Sequence, residues 1–428
     1  MVKKLLFSEK SLRGTISVPG DKSISHRAVM FGSLAKGKTM ITNFLAGEDC
    51  LSTIEAFETM GVKITRNNQT VIVESEGIEG LKEPLVPINL GNSGTTARLL
   101  MGILSALPFH STLYGDASLT KRPMDRITIP LKEMGAMIDG RENGKYLPIA
   151  IRGSKLQPIH YHTPMKSAQV KSGVLLAGLL TDGKTIVEED TKTRDHTENM
   201  LKAFGADLTV EGNRVIINGN IPLSSCDIEV PGDISSAAFF LVAAAITPGS
   251  EVKIENVGLN PTRTGIIDVL KLMGVAITLE EKRTVGGEPI GDITVQSSNP
   301  KAATIEGEII PRIIDEIPII ALLASQADGT TVIRDAEELR YKETDRIESV
   351  VTTLRALGAN IEPTNDGMII EGNANLTGAK TNSYGDHRIG MMIAIASLLT
   401  EDTVELHDDK CIAVSYPTFF DDLNKLLQ

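Results

Sequence analysis

The sequence has 428 residues, 41% of them hydrophobic, which is more apolar material than one core absorbs, so at least two domains are expected. Its formal charge is −12, with 6 Tyr, 10 Phe and no Trp, and an acidic chain poor in rings is not a general nucleic-acid binder. No stretch approaches the ~20 apolar residues of a membrane span.

The N-terminal MVKKLLFSEK lacks the apolar run of a signal peptide. Cys50, Cys226 and Cys411 are odd in number, widely spaced and without a CxxC pattern. That usage fits a reducing cytoplasm and argues against a disulfide framework or thiolate metal site. His160 and His162 stand at strand spacing with no further ligands nearby, so no metal is expected.

Along the chain, strand-like stretches at 4–7 and 15–18 come first. A polar, cap-like segment then opens an apolar helix pattern near Ser23, and again near Gly94, Ser167, Ser235, Asp315 and His387, every 68–80 residues. A second helix follows each time and ends on a similar phrase: Met60-Gly61-Val62, Met134-Gly135-Ala136, Phe204-Gly205-Ala206, Met273-Gly274-Val275 and Leu357-Gly358-Ala359. Glycine after the last periodic residue is a helix C-cap signal. Strand alternation follows, as in Val71-Ile72-Val73. The unit therefore reads strand–helix–strand–helix–strand–strand, about 70 residues long and present six times. The sixth copy ends in a helix at 418–427 with no strands after it, and the N-terminal strands are available to complete that part of the chain.

Val18-Pro19-Gly20-Asp21-Lys22-Ser23 returns as Val230-Pro231-Gly232-Asp233-Ile234-Ser235, 212 residues later. The expected domains are thus 20–230, holding repeats one to three, and 1–19 with 231–428, holding repeats four to six. Two chain crossings make a hinge, and a cleft between the domains is where a ligand is expected. A single solenoid is the alternative, but midpoint duplication and a split sixth copy favour two closed domains.

The helix starts collect reactive side chains: Lys22-Ser23 with His26 and Arg27; Asn92 to Thr96 with Arg98; Lys166-Ser167-Ala168-Gln169; Asp315-Glu316; and Asp386-His387-Arg388. Second-helix starts add Lys121-Arg122-Pro123, Arg194-Asp195-His196 and Lys342 to Arg346. Helix N-termini favour anions, so convergent cationic starts would give an acidic protein a basic site for a multiply anionic substrate. Taken singly, Ser and Asp at such positions are caps, the role expected for Ser235-Ser236, and mixed charges are solvated pairs. Arg98 is expected to support its loop, and His26 has no assigned role. Gly32 to Thr39 matches GxxxxGK[ST], but a P-loop needs a strand before and a helix after, and here the order is reversed.

In order and spacing, Pro19 to Arg27, Gly91-Asn92-Ser93-Gly94-Thr95, Arg122-Pro123-Met124, Lys342-Glu343-Thr344-Asp345-Arg346 and Asp386-His387-Arg388 resemble the 5-enolpyruvylshikimate-3-phosphate synthase family across essentially the whole chain. The resemblance implies the enolpyruvyl transferase fold, an α/β architecture of two inverse α/β barrel domains with three repeats each. It implies transfer of the enolpyruvyl group of phosphoenolpyruvate to the 5-hydroxyl of shikimate 3-phosphate, on the route to chorismate and the aromatic amino acids. No cofactor is implied, and a cytoplasmic monomer is expected.

By matching motif, Asp315 is the implied base, Glu343 the proton donor, and Lys22 an aid to proton transfer. Shikimate 3-phosphate would be bound by Lys22, Ser23, Arg27, Ser167, Gln169, Arg194, Asp315 and Lys342. Phosphoenolpyruvate would be bound by Lys22, Gly94, Arg122, Gln169, Arg346 and Arg388. Val414 stands where the best-known branch has a phosphoenolpyruvate-binding lysine, and Lys410 is the expected substitute. Ala168, Leu99 and Thr193-Arg194-Asp195-His196 also depart from that branch and resemble a second one, whose glyphosate-tolerant forms carry alanine at the position of Gly94. Glycine here is the sensitive pattern. The sibling transferase acting on UDP-N-acetylglucosamine is the nearest alternative, although it normally has Lys-Asn in place of Lys22-Ser23. A non-catalytic anion-binding repeat protein is another.

Overall fold

A computed structural model describes residues 2–427. The chain forms two compact units, one of residues 20–230 with 285–288, the other of the segment up to Pro19, Pro231–Thr284 and the chain from Pro289 onwards. Among the described residues, no helix is long and apolar enough to cross a membrane.

In the 20–230 unit the first helices are Lys22–Leu34, Gly94–Ala106 and Ala168–Leu179, buried on nearly every side. Their counterparts in the other unit are Ile234–Ile246, Ile317–Ser325 and His387–Ala396. A helix apolar all round belongs inside, and within the second set each helix touches the other two. The second helices bury one face only: Glu48–Thr59, Asp125–Glu133, His196–Ala203, Gly265–Leu272, Arg346–Ala356 and Phe419–Leu426. Gly61, Gly135, Gly205, Gly274 and Gly358 follow five of them at φ between +79° and +98°, the left-handed conformation that ends a helix at little steric cost.

Each repeat closes a small sheet. In the second, Ile88–Asn89 runs parallel to His110–Tyr114, which pairs antiparallel with Tyr146–Arg152, and Met137–Gly140 forms the far edge. Strands such as Thr70–Glu76 alternate between buried and more exposed positions, as expected for a sheet with one face on the core. Both units are therefore inverse barrels, with helices inside and sheets around them.

The N-terminal strands are Val2–Leu5 and Arg13–Ser17, beginning two residues earlier than the alternation suggests, and they serve different repeats. Val2–Leu5 pairs with Val404–His407 of the sixth repeat. Arg13–Ser17 instead lies parallel to Glu251–Gly258 of the fourth, while Ile228–Glu229 takes the matching place beside Lys36–Thr42 in the first. The chain changes unit immediately after each of these strands, so the strand stays in the unit the chain is leaving. The GxxxxGK[ST] segment is a helix-to-strand turn: the Lys22–Leu34 helix ends at extended Ala35 and the Lys36–Thr42 strand follows.

One contact sets the helix geometry behind the candidate site. A Cβ on Gly102 would lie 2.1 Å from the Gly173 carbonyl oxygen, and one on Gly173 would lie 2.8 Å from that of Arg98. Only glycine lets the Gly94–Ala106 and Ala168–Leu179 backbones approach this closely, and the approach carries their N-terminal residues into hydrogen-bond range.

Candidate active site

In the 20–230 unit, Asp21 and not Ser23 caps the first helix, accepting from Ile24 N at 2.9 Å, so the Ser23 hydroxyl is not used as the cap. Lys22 forms an ion pair with Asp49, at the start of the Glu48–Thr59 helix. Arg27 is buried and bridges repeats one and three: Nε donates to Thr197 Oγ1 (2.7 Å), Nη2 to Ser172 Oγ (3.0 Å) and Nη1 to Ser23 O (2.9 Å). Three N–H groups held in a fork make its position rigid.

His26 is wholly buried. Its Nδ1 lies 2.7 Å from Thr53 Oγ1, which lies 2.7 Å from Thr96 Oγ1, itself 2.7 Å from Ser93 Oγ. This hydroxyl chain ties the start of the first helix to that of the Gly94–Ala106 helix. Burial drives the imidazole down to about 3; Asp49 opposes the shift and Lys22 and Arg27 add to it. His26 is thus a neutral internal strut.

A Cβ on Gly94 would lie 2.8 Å from Arg98 Nη1 and 3.1 Å from Arg122 Nη1. The bare backbone there faces two guanidinium groups. Arg98 Nη1 donates to Gln169 Oε1 (2.7 Å) and to Gly94 O (3.3 Å), Nη2 donates to Pro123 O (3.2 Å), and Gln169 Nε2 donates to Thr95 Oγ1 (3.0 Å). Arg98 therefore supports the loop, and Gly94, Arg122 and Gln169 gather around it. Ser167 caps its helix through Val170 N at 3.4 Å. Half-buried Arg194 lies between the Lys184–Glu189 strand and the His196–Ala203 helix.

In the other unit the centre is Arg346, 1% exposed. Nη1 donates to Asp315 Oδ1 (3.1 Å), Nη2 to Glu343 Oε2 (2.6 Å), and Nε to Asp386 Oδ2 (2.7 Å). Lys342 Nζ is 3.4 Å from the same Asp315 oxygen. Burial disfavours the Arg346 charge, but Asp386, Glu343 and Asp315 outweigh it and the guanidinium stays charged. The sequence reading casts Arg346 as a phosphoenolpyruvate ligand. Its geometry makes it first the organiser of Asp315 and Glu343.

Asp386 also caps the His387–Ala396 helix through Arg388 N (2.9 Å). Exposed Lys410 lies on the Asp409–Val414 turn, which packs against that helix and also carries half-buried Val414.

Ser235 does more than cap. Asp233 caps its helix through Ser235 N (2.9 Å), while Ser235 Oγ donates to Glu316 and accepts from Arg263 Nη2 at 2.6 Å. Buried Glu316 is thereby fixed directly beside Asp315. Sequence reasoning missed Asp49 and Arg263, and assigned no acceptor role to Asp386 or Glu316. The three carboxylates stand at helix starts, where an acidic residue reads as a cap, and Arg263 carries no local signal of its own. Among the described residues no cluster of His, Cys, Asp and Glu could hold a metal.

Two inverse barrels with cations and carboxylates at their helix starts define an enolpyruvyl transferase. The fold matches the enolpyruvyl transferase NikO from Streptomyces tendae at a TM-score of 0.80, with 17% identity over 99% of this chain and 97% of that one. EPSP synthase from Acinetobacter baumannii matches at 0.89, with 46% identity over 99% and 97%. The 3-phosphoshikimate 1-carboxyvinyltransferases of Oceanobacillus iheyensis and Geobacillus thermodenitrificans are 58% and 59% identical, over 98% and 97% of this chain and 97% of each of theirs. Residues 7–423 match the family model of EPSP synthase (3-phosphoshikimate 1-carboxyvinyltransferase), and the chain belongs to that family.

Proposed function

We propose that this enzyme transfers the enolpyruvyl group of phosphoenolpyruvate to the 5-hydroxyl of shikimate 3-phosphate and releases phosphate. Family membership supports the reaction, and the observation that carries the chemistry is the joint hold of Arg346 on Asp315 and Glu343. An addition–elimination needs a base at the attacking hydroxyl and an acid at the methylene carbon. Asp315 takes the 5-hydroxyl proton as that oxygen bonds to C2 of phosphoenolpyruvate, and Glu343 delivers a proton to C3. Glu343, left as a carboxylate, then takes a proton back from C3 as the C2–O bond to phosphate breaks, which restores the double bond, and the 5-hydroxyl proton ends on the released phosphate. Lys22 assists proton transfer.

Each substrate carries a phosphate and a carboxylate, so cations must offset their repulsion. Ser23, Arg27, Ser167, Gln169, Arg194 and Lys342 hold shikimate 3-phosphate. Gly94, Arg122, Arg346, Arg388 and Lys410 hold phosphoenolpyruvate, with Lys22 and Gln169 serving both. The missing Cβ of Gly94 lets an anion reach the helix start between Arg98 and Arg122. The reading includes a monomer and a cytoplasmic location; the three free cysteines fit a reducing compartment.

Phosphate release measured with each acceptor tests the assignment. Turnover is expected with shikimate 3-phosphate; turnover with UDP-N-acetylglucosamine alone refutes it.

A further inference from the structure

Behind the proposed shikimate 3-phosphate groups lies a buried charge cluster that the mechanism does not use. Lys171 sits one turn into the Ala168–Leu179 helix and is 1% exposed. Its Nζ lies 2.8 Å from Glu189 Oε2 and 2.8 Å from Glu198 Oε1, and donates to Thr193 O at 3.5 Å. Glu189 in turn accepts from Thr193 Oγ1 (2.5 Å) and Thr193 N (3.3 Å). Burial opposes the ammonium charge, but Glu198 and Glu189 more than restore it.

Two neighbours tie this cluster to cations. Thr193 immediately precedes Arg194. Ser172, next to Lys171, contacts Thr197 Oγ1 at 2.7 Å and accepts from Arg27 Nη2 at 3.0 Å, and Thr197 accepts from Arg27 Nε at 2.7 Å. Burying one lysine with two carboxylates is costly, and apolar packing would serve stability as well or better. What apolar residues could not supply is a directional hold on the backbone and hydroxyl of Thr193.

We propose that Lys171, Glu189 and Thr193 form a positioning unit that sets Arg194, and through Ser172 and Thr197 also Arg27, for the 3-phosphate of the acceptor. Discrimination between shikimate 3-phosphate and shikimate then depends on it. This inference rests on the function proposed above. Thr193→Val removes the hydroxyl tether and leaves the ion pairs; Glu189→Gln removes the anion that holds both.

Titration calorimetry with shikimate 3-phosphate and with shikimate reads the effect. Both variants should bind shikimate 3-phosphate roughly tenfold more weakly and shikimate within about twofold of the parent, with the phosphoenolpyruvate KM unchanged. Thr193→Ser should restore the affinity. Equal weakening of both acceptors, or no weakening, overturns the positioning role, and Thr193→Val alone suffices if Glu189→Gln does not fold. A parent enzyme that binds the two acceptors equally refutes the functional reading itself, and this inference with it.

Discussion

Acidification should destabilise the 20–230 unit through His26. The imidazole is completely buried, its Nδ1 lies against Thr53 Oγ1 at 2.7 Å, and its Nε2 has no hydrogen-bond partner among the described residues. The unfolded chain takes up a proton near pH 6.5, whereas the folded one resists until about pH 3. For a base whose pKa is depressed by folding, stability is complete above the unfolded value and is lost as pH falls. The loss is about 1.4 kcal/mol per pH unit between those limits, hence about 2 kcal/mol from pH 7 to pH 5.

Carboxylates also titrate on this path, so the test is a difference. His26→Asn keeps a polar group but has nothing to titrate. Urea unfolding at pH 7 and pH 5 should show a variant less stable at neutrality, whose stability falls by about 2 kcal/mol less than that of the parent. Parallel losses in the two proteins would refute the assignment of a neutral, buried imidazole.

Gly94→Ala places a methyl group 2.8 Å from Arg98 Nη1 and 3.1 Å from Arg122 Nη1; the phosphoenolpyruvate KM should rise about tenfold, while shikimate 3-phosphate affinity by calorimetry stays unchanged. Asp386→Asn weakens the 2.7 Å charge-assisted bond from Arg346 Nε. It should cost about 2–3 kcal/mol in unfolding experiments and lower kcat, because Asp315 and Glu343 share that guanidinium. Asp315→Asn should lower kcat by about 10²–10⁴ but weaken shikimate 3-phosphate binding by no more than about tenfold, because the amide oxygen still accepts from the 5-hydroxyl. Full activity in that variant would remove Asp315 from the role of base.

The six repeats, their helix pairs and the glycines closing five second helices were legible in the sequence, because periodicity and capping act over a few neighbouring residues. So were the cations at the helix starts. The partners of those groups were not. Lys22 meets Asp49, Arg98 meets Gln169, Lys171 meets Glu189, and Arg346 draws in Asp315, Glu343 and Asp386.

Most of these pairs bridge different secondary elements, and their distances depend on how closely buried helices pack, as at Gly102 and Gly173. Nor does alternation reveal which sheet a strand joins: Arg13–Ser17 and Ile228–Glu229 sit where the chain's passage between units leaves them. Local chemistry along the chain thus determines the modules and their reactive ends. Tertiary packing alone decides which charge faces which, because an ion pair depends on a few ångströms in space and not on separation in sequence.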